Sequence, residues 1–201
     1  MTPLVSIITP TYQAGTAEIR RCLLSVVRQT MGDFEHLVAS DGFGEPPVAE
    51  AVSALGDPRI RYLVTERHHG NFGNGVRQEV MMRHARGRYL VFLDDDNIIF
   101  PTYLERLSAA LADTTAQGTR FATCAQLHFG PLQPFVGEPP FMLTGEPRLY
   151  YIDTLQVMVE AEAMRTVGWD TDNPLADGIG YKELARRYPY ARVAECLCIH
   201  L

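Results

Sequence analysis

Long apolar runs are missing from these 201 residues. None approaches the roughly 20 residues that a membrane span needs. The opening MTPLVSIITPTY has no basic stretch ahead of its apolar one, so it reads as a first strand and not as a secretion signal. Positive charge is also scarce. Eighteen Lys and Arg against 24 Asp and Glu leave a net charge of -6, the wrong sign for a chain that coats nucleic acid. Cysteine is limited to four, with no CxxC spacing and no sign of a disulfide framework. Cys22 falls on an expected helix and Cys124 in an expected strand. Cys196 and Cys198 lie two apart in a strand-like stretch, where alternation puts both on one face. A reducing cytoplasm fits this usage. Repeats and low-complexity tails are absent. What remains, 46% apolar and 21% charged residues, describes one ordinary globular unit with a sizeable core.

The order of elements follows from periodicity and breakers. Residues 4–9 form a short β-branched run ended by Pro10. Thr16 is placed to cap a helix over 16–29, with Ile19, Leu23, Leu24 and Val27 on one face. Strands are expected at 34–39, 60–65, 88–93 and 119–129, and helices at 47–55, 76–86 and 101–112, with Pro101 suited to a first turn. A glycine-rich loop covers 70–75. This alternation argues for a mostly parallel sheet with helices on both faces. Residues 130–147 are rich in Pro and Gly and read as a long loop over the sheet. A strand near 149–152, a helix at 160–167, a loop at 168–180, a helix through 182–187 and a strand at 192–199 complete the chain.

In an open α/β sheet, ligands bind beyond the carboxyl ends of the strands. Three segments end a strand in polar or turn-forming residues: Pro10-Thr11-Tyr12, Ser40-Asp41-Gly42 and Asp94-Asp95-Asp96. A parallel sheet gathers them on one rim. Adjacent carboxylates repel one another, and a divalent cation relieves that repulsion. Oxygen ligands suit Mg²⁺ or Mn²⁺, which keeps waters and bridges to phosphates. A nucleoside diphosphate is the natural partner.

These stretches together resemble family 2 glycosyltransferases of the GT-A nucleotide-sugar fold, a Rossmann-like α/β architecture. VSIITPTYQAG resembles the family's opening strand and Pro-Thr-Tyr-Asn turn, with Gln13 in place of Asn. SDG at 40–42 stands where the family has Asp-Asp-Gly-Ser. GNGVRQEVMMRHARGRYLVFLDDDN resembles the run from a glycine-rich loop, through an arginine-bearing helix, to the DxD motif. GWDTDNPLADG resembles the acceptor-side region. The resemblance covers nearly the whole chain as a single catalytic domain, with 1–129 as donor half and 130–201 as acceptor half.

The resemblance implies roles. Pro10, Thr11 and Tyr12 contact base and ribose, and Asp41 accepts from a base N–H; by itself Asp41 reads equally as an Asx turn. Arg77 pairs with Asp41 or reaches a phosphate. Gln78 departs from the usual Asn and is given no role. Asp96 coordinates the metal, Asp94 lies near the ribose or a metal-bound water, and Asp95 competes with Asp94 for that place. Asn97 is a neighbour and not a ligand. His200 is a candidate for the metal or the diphosphate. His68-His69 belongs to a loop flanking the donor site. Trp169 stacks on a sugar or anchors its loop in the core. Direct displacement inverts the anomeric centre and needs a base for the acceptor hydroxyl. Asp177 matches the acidic residue that opens a helix in the family, although Ala176 replaces the Glu before it. Asp170 and Asp172 share its loop and compete with it.

Other classes fit less well. A Rossmann oxidoreductase needs a glycine fingerprint after its first strand, and TPTYQAG lacks one. A sugar nucleotidyltransferase needs a basic, glycine-rich loop in the same place. A non-catalytic nucleotide-sugar-binding module is the alternative, for which Gln13, Gln78 and Ala176 leave room. The expectation is therefore an inverting, metal-dependent glycosyltransferase with a nucleotide diphosphate sugar, UDP-sugar favoured. Its acceptor is a hydroxyl on a saccharide, a lipid-linked sugar or a small molecule. The chain is short for the family and has no apolar C-terminal helix, which favours a soluble acceptor or one brought by a partner.

Overall fold

Strand β1 (Val5–Thr11) is buried along its whole length. Helices cover both of its faces, which is why it reads as an unbroken apolar run and not as alternation. Ile7 packs into the layer on one side and Ile8 into the layer on the other. The computed structural model describes residues 2–130 and 138–201; the 131–137 part of the proline-rich loop lies outside the described residues. After β1 come α1 (Thr16–Val27), β2 (Phe34–Ser40), α2 (Pro46–Leu55), β3 (Ile60–Val64), α3 (Asn74–Arg83), β4 (Tyr89–Phe92), β5 (Ile98–Ile99) and α4 (Tyr103–Thr114). The second half adds β6 (Phe121–His128), β7 (Phe141–Leu143), β8 (Val157–Glu160), α5 (Ala161–Val167), α6 (Ala176–Arg187) and β9 (Tyr190–His200).

The strands form a single sheet in the order β3-β2-β1-β4-β8-β6-β9-β5, with β7 paired to β6. β1 is parallel to β2 and β4, β2 to β3, and β6 to β9. β8 runs antiparallel to both β4 and β6, so β6 points the same way as β4. Strands β1, β2, β3, β4, β6 and β9 thus share one direction, and β5, β7 and β8 oppose it. One face packs Ile8, Leu90, Phe92 and Val159 against α3, α5 and α6. The other packs Ile7, Val91, Ala122 and Met158 against α1 and α4, with α2 beside α1.

Several local expectations are corrected. Thr16 is the first helical residue and does not cap; Gly15 takes that place without a side-chain bond. On α1, Cys22 and Val26 are buried and Leu24 is exposed, because the helix packs against α2 as well as the sheet. Residues 149–151 form a turn, tied by Tyr151 N–H donating to Arg148 O at 2.9 Å. The strand expected there is supplied by Val157–Glu160. α6 begins at Ala176, well before Lys182, so Asp177 lies in its first turn. Cys198 is buried and Cys196 only partly so. Register shifts between β6 and β9 at Ala125 break the alternation that would keep them equivalent.

Candidate functional site

β1, β2 and β4 deliver their polar ends to one rim, as parallel neighbours must. Pro10, Thr11, Tyr12, Asp41, Asp94, Asp95, Asp96 and His200 all line one cavity of about 510 Å³, together with His68 and the turn at 70–73. Arg77 and Asp177 stand outside that lining.

Buried Glu45 holds the first wall. Thr11 Oγ1 donates to Glu45 Oε1 at 2.7 Å, and Ala14 N–H donates to Oε2 at 2.9 Å. Tyr12, 52% exposed, meets Phe43 edge-on at 5.6 Å and His68 at 5.2 Å between ring centroids. Asp41 accepts from His69 N–H and Gly70 N–H, both at 2.7 Å, with His68 Nδ1 at 3.1 Å. These bonds gather a left-handed turn: Gly70, Asn71, Phe72 and Gly73 have φ of 66°, 52°, 54° and 74°. Such backbone is costly for Phe and Asn. It is held by Asp41, by Arg77 Nη1 donating to Phe72 O at 2.7 Å, and by Asn71 Nδ2 donating to Thr171 O. Phe72 itself is 78% exposed at the cavity rim.

Gly42 lies under this loop at φ 79°, and a Cβ there would sit 2.3 Å from His68 N. Backbone cannot yield as a side-chain tip can. Gly42→Ala should therefore cost about 2–3 kcal/mol of stability and loosen nucleotide binding. Urea unfolding with a nucleotide titration measures both, and a change under 0.5 kcal/mol would contradict this packing.

The acidic turn follows β4. Asn97, fully buried, donates its N–H to Asp94 O at 3.2 Å and accepts Leu201 N–H at 3.1 Å on Oδ1. It ties the turn to the end of β9, and its Nδ2 lies 3.5 Å from Asp94 Oδ2 and 3.4 Å from His200 Nδ1. Arg77 pairs through Nη2 with Asp94 Oδ1 and donates to Asn74 Oδ1 at 3.2 Å. Of the partners weighed for it, Asp41 is not the one. Asp95 is pushed up to about 7 by burial and then by Asp94 and Asp96. Asp96 is raised by burial and Asp94, with His200 opposing. Hard oxygen donors left this short of positive charge suit a divalent cation.

His200 closes the cavity from β9. Its Nδ1 lies 2.8 Å from Asp153 Oδ2. Burial favours the neutral ring, but this bond and the charges of Asp153, Asp94 and Asp96 together outweigh it and raise the imidazole pKa. Burial also works against ionising Asp153. The neighbouring imidazoles and Gln126 Nε2, donating at 2.8 Å, overcome it and hold the carboxyl well below its usual range. The His128 ring stacks on that of His200 with centroids 4.1 Å apart.

Asp177 accepts Gly178 N–H at 2.7 Å. Burial, then the charge of Asp153, push its carboxyl up to about 7, against the pull of Gly178 N–H and Arg77. Asp170 and Asp172 are exposed, and Asp172 N–H donates to Asp170 Oδ1 at 3.1 Å in a simple turn. Trp169 is buried in the core: its Nε1 donates to Asn74 Oδ1 at 2.8 Å and its ring lies 4.6 Å from Phe92. Gln78 finds a use here, accepting Trp169 N–H at 3.0 Å. His69 pairs with Glu79 at 2.8 Å and faces away from the acids. Glu45, His128 and Asp153 were not singled out from sequence. The only local signal among them is the Asp153…Gln156 capping box.

Comparison with known proteins adds the following. Residues 6–164 match the model of glycosyl transferase family 2. A putative glycosyltransferase, EpsH of Bacillus subtilis, is 33% identical over 116 residues, which is 57% of this chain and 32% of that protein. The chain matches about a third of the length of several such relatives. Among solved structures, residues 1–349 of S. aureus TarS superpose with a TM-score of 0.71 at 15% identity, covering 98% of this chain and 60% of that one. The mannosyltransferase PcManGT of Pyrobaculum calidifontis, in complex with GDP-Man and Mn²⁺, gives 0.73 at 17% identity, covering 100% of this chain and 57% of that one.

Proposed function

This chain belongs to glycosyl transferase family 2 and has the GT-A fold, and we propose that it moves a sugar from UDP to an acceptor hydroxyl with inversion. Membership of that family supports transfer from a nucleotide sugar, and the base, the metal and the inversion go beyond it. The observation that carries the reading is one cavity shared by a base-sized aromatic wall, an acidic turn and a histidine. PcManGT with GDP-Man and Mn²⁺ supports the nucleotide and metal. TarS, solved with UDP-GlcNAc, supports uridine.

Tyr12 offers a ring face to the base. A carboxylate has about four acceptor sites, so Asp41 retains one for a base N–H beyond those taken by His68, His69 and Gly70. Pro10 and Thr11 line the ribose side. Asp96 and His200 would hold Mg²⁺ or Mn²⁺, with Asp94 or Asp95 beside them. Such an ion, when bound, supplies Lewis-acid stabilisation of charge on the departing diphosphate. Arg77 keeps Asp94 in place. Asp177 takes the proton of the attacking hydroxyl on the other side of the sugar.

A thermal-shift panel of UDP, GDP and dTDP, with and without Mn²⁺, tests this. UDP with Mn²⁺ at about 100 times its Kd should stabilise by about 2.7 kcal/mol, or roughly 5–10 °C in Tm. UDP alone should do much less. Silence from all three nucleotides would sink the reading.

Among the described residues, no helix is long and apolar enough to cross a membrane. The cytoplasm and a hydroxyl acceptor of saccharide, lipid-linked or small-molecule type remain part of the proposal.

A further inference from the structure

Behind His200 lies a partly buried polar cluster that the proposed function leaves unused. Asp153, His128 and His200 bring ligand-type atoms within 4.8 Å of one another, which invites a second metal site. The hydrogen bonds argue otherwise. Asp153 Oδ1 accepts Thr154 N–H at 2.6 Å. Its Oδ2 accepts Gln126 Nε2 and faces His200 Nδ1, both at 2.8 Å. His128 Nδ1 lies 3.2 Å from the same Gln126 amide nitrogen and 3.8 Å from Asp153 Oδ2. A cation taken up on Asp153 Oδ2 would compete there with Gln126 and His200. The cluster is a finished network.

The network has a direction. Two groups face His200 Nδ1: Asn97 Nδ2, which can only donate, at 3.4 Å, and Asp153 Oδ2, which can only accept, at 2.8 Å. The shorter contact decides, so this nitrogen carries a proton. In the neutral ring the lone pair is then left on Nε2 alone. His200 is also the member of the cluster that lines the cavity of the acidic turn. We propose that Asp153, steadied by Gln126 and Thr154 N–H, is a positioning residue that fixes the Nδ1–H tautomer of His200 and so presents Nε2 to the donor cavity. The stacked His128 ring limits rotation about the His200 side chain. Carboxylates set behind a metal-binding histidine commonly act in this way, and losing one weakens metal affinity by about 10- to 100-fold. The inference rests on the reading of His200 as a ligand of the metal or diphosphate.

Two measurements test it. In protein labelled with ¹⁵N-histidine, the long-range ¹H–¹⁵N spectrum at alkaline pH reports each ring's tautomer, with His200 assigned by its loss in His200→Ala. Wild type should show His200 protonated on Nδ1; a proton on Nε2 overturns the proposal whether or not any Asp153 variant folds. In Asp153→Ala, the ring should shift to the Nε2–H form. Mn²⁺ affinity in the presence of UDP, followed by the electron paramagnetic resonance of free Mn²⁺, should fall by about 10- to 100-fold. UDP affinity without metal should stay within about twofold. If His200→Ala loses Mn²⁺ but Asp153→Ala binds it as wild type does, the positioning role is wrong and the site reading stands. If His200→Ala binds Mn²⁺ normally, the role of His200 fails and the inference fails with it.

Discussion

Asp177→Asn should lower the turnover of sugar transfer by about 10²- to 10⁴-fold, the usual worth of a positioned general base, while UDP affinity stays unchanged. The argument is electrostatic as well as positional. Asp177 opens α6, where its carboxylate accepts Gly178 N–H. Burial and then the charge of Asp153 nonetheless push it up to about 7, a pKa matched to taking a proton near neutrality. Below that value the carboxyl is protonated and cannot accept one. Transfer by the wild type should therefore rise as pH climbs through about 7 and level off above it. A rate flat across neutral pH, or a variant retaining full turnover, would refute the assignment; Asp170→Asn and Asp172→Asn serve as comparisons. Stability moves the opposite way. Between the ordinary carboxylate range and about 7, the native state keeps a proton that the unfolded chain has released. Stability contributed by this group is thus lost as pH rises through that window. Asp177→Asn removes the loss, so the variant should gain Tm relative to wild type above neutrality as it loses activity.

Arg77→Ala should cost about 3 kcal/mol of stability and weaken UDP binding together. The guanidinium is buried and serves Asp94, Asn74 Oδ1 and Phe72 O at once. It also lies 5.6 Å from the Trp169 ring centroid. Truncation leaves Asp94 facing Asp95 and Asp96 without its counter-charge and frees the carbonyl that holds the left-handed turn. Asp94 keeps 26% of its side chain exposed, which returns some hydration and places the cost at the lower end of the range for broken buried pairs. Arg77→Lys restores charge but not the planar fork, so it should recover only part of the loss. Urea unfolding at low salt and a UDP titration measure the two effects. A cost under about 0.5 kcal/mol would mean that the pair is ornamental.

The donor half was readable because its strands are short, β-branched and ended by turn residues, and because parallel pairing sends Thr11, Asp41 and Asp94 to one rim. The GT-A reading needed family likeness as well as periodicity. What stayed hidden depends on tertiary placement. Val157–Glu160 is four residues between a tight turn and a helix, too short to announce itself as a strand. The choice of Asp94 over Asp41 by Arg77 depends on how α3 lies across the sheet. Asp153 owes its meaning to Gln126 and His200, which arrive from β6 and β9. Local sequence carries only its capping box.

The placement of β8 has a consequence for how the chain reaches this structure. Leu90 pairs with Val159, and Ala122 with Met158, so the strand between β4 and β6 is one the chain makes after both. Until it inserts, two apolar edges stand open, and each can recruit another molecule's strand. Closing the sheet requires long loops to be bridged before their contacts repay the entropy, which slows folding. A chain whose residues 157–160 have not yet docked would carry an unfilled slot at the centre of its sheet. Aggregation during refolding should track how quickly residues 157–160 find that slot.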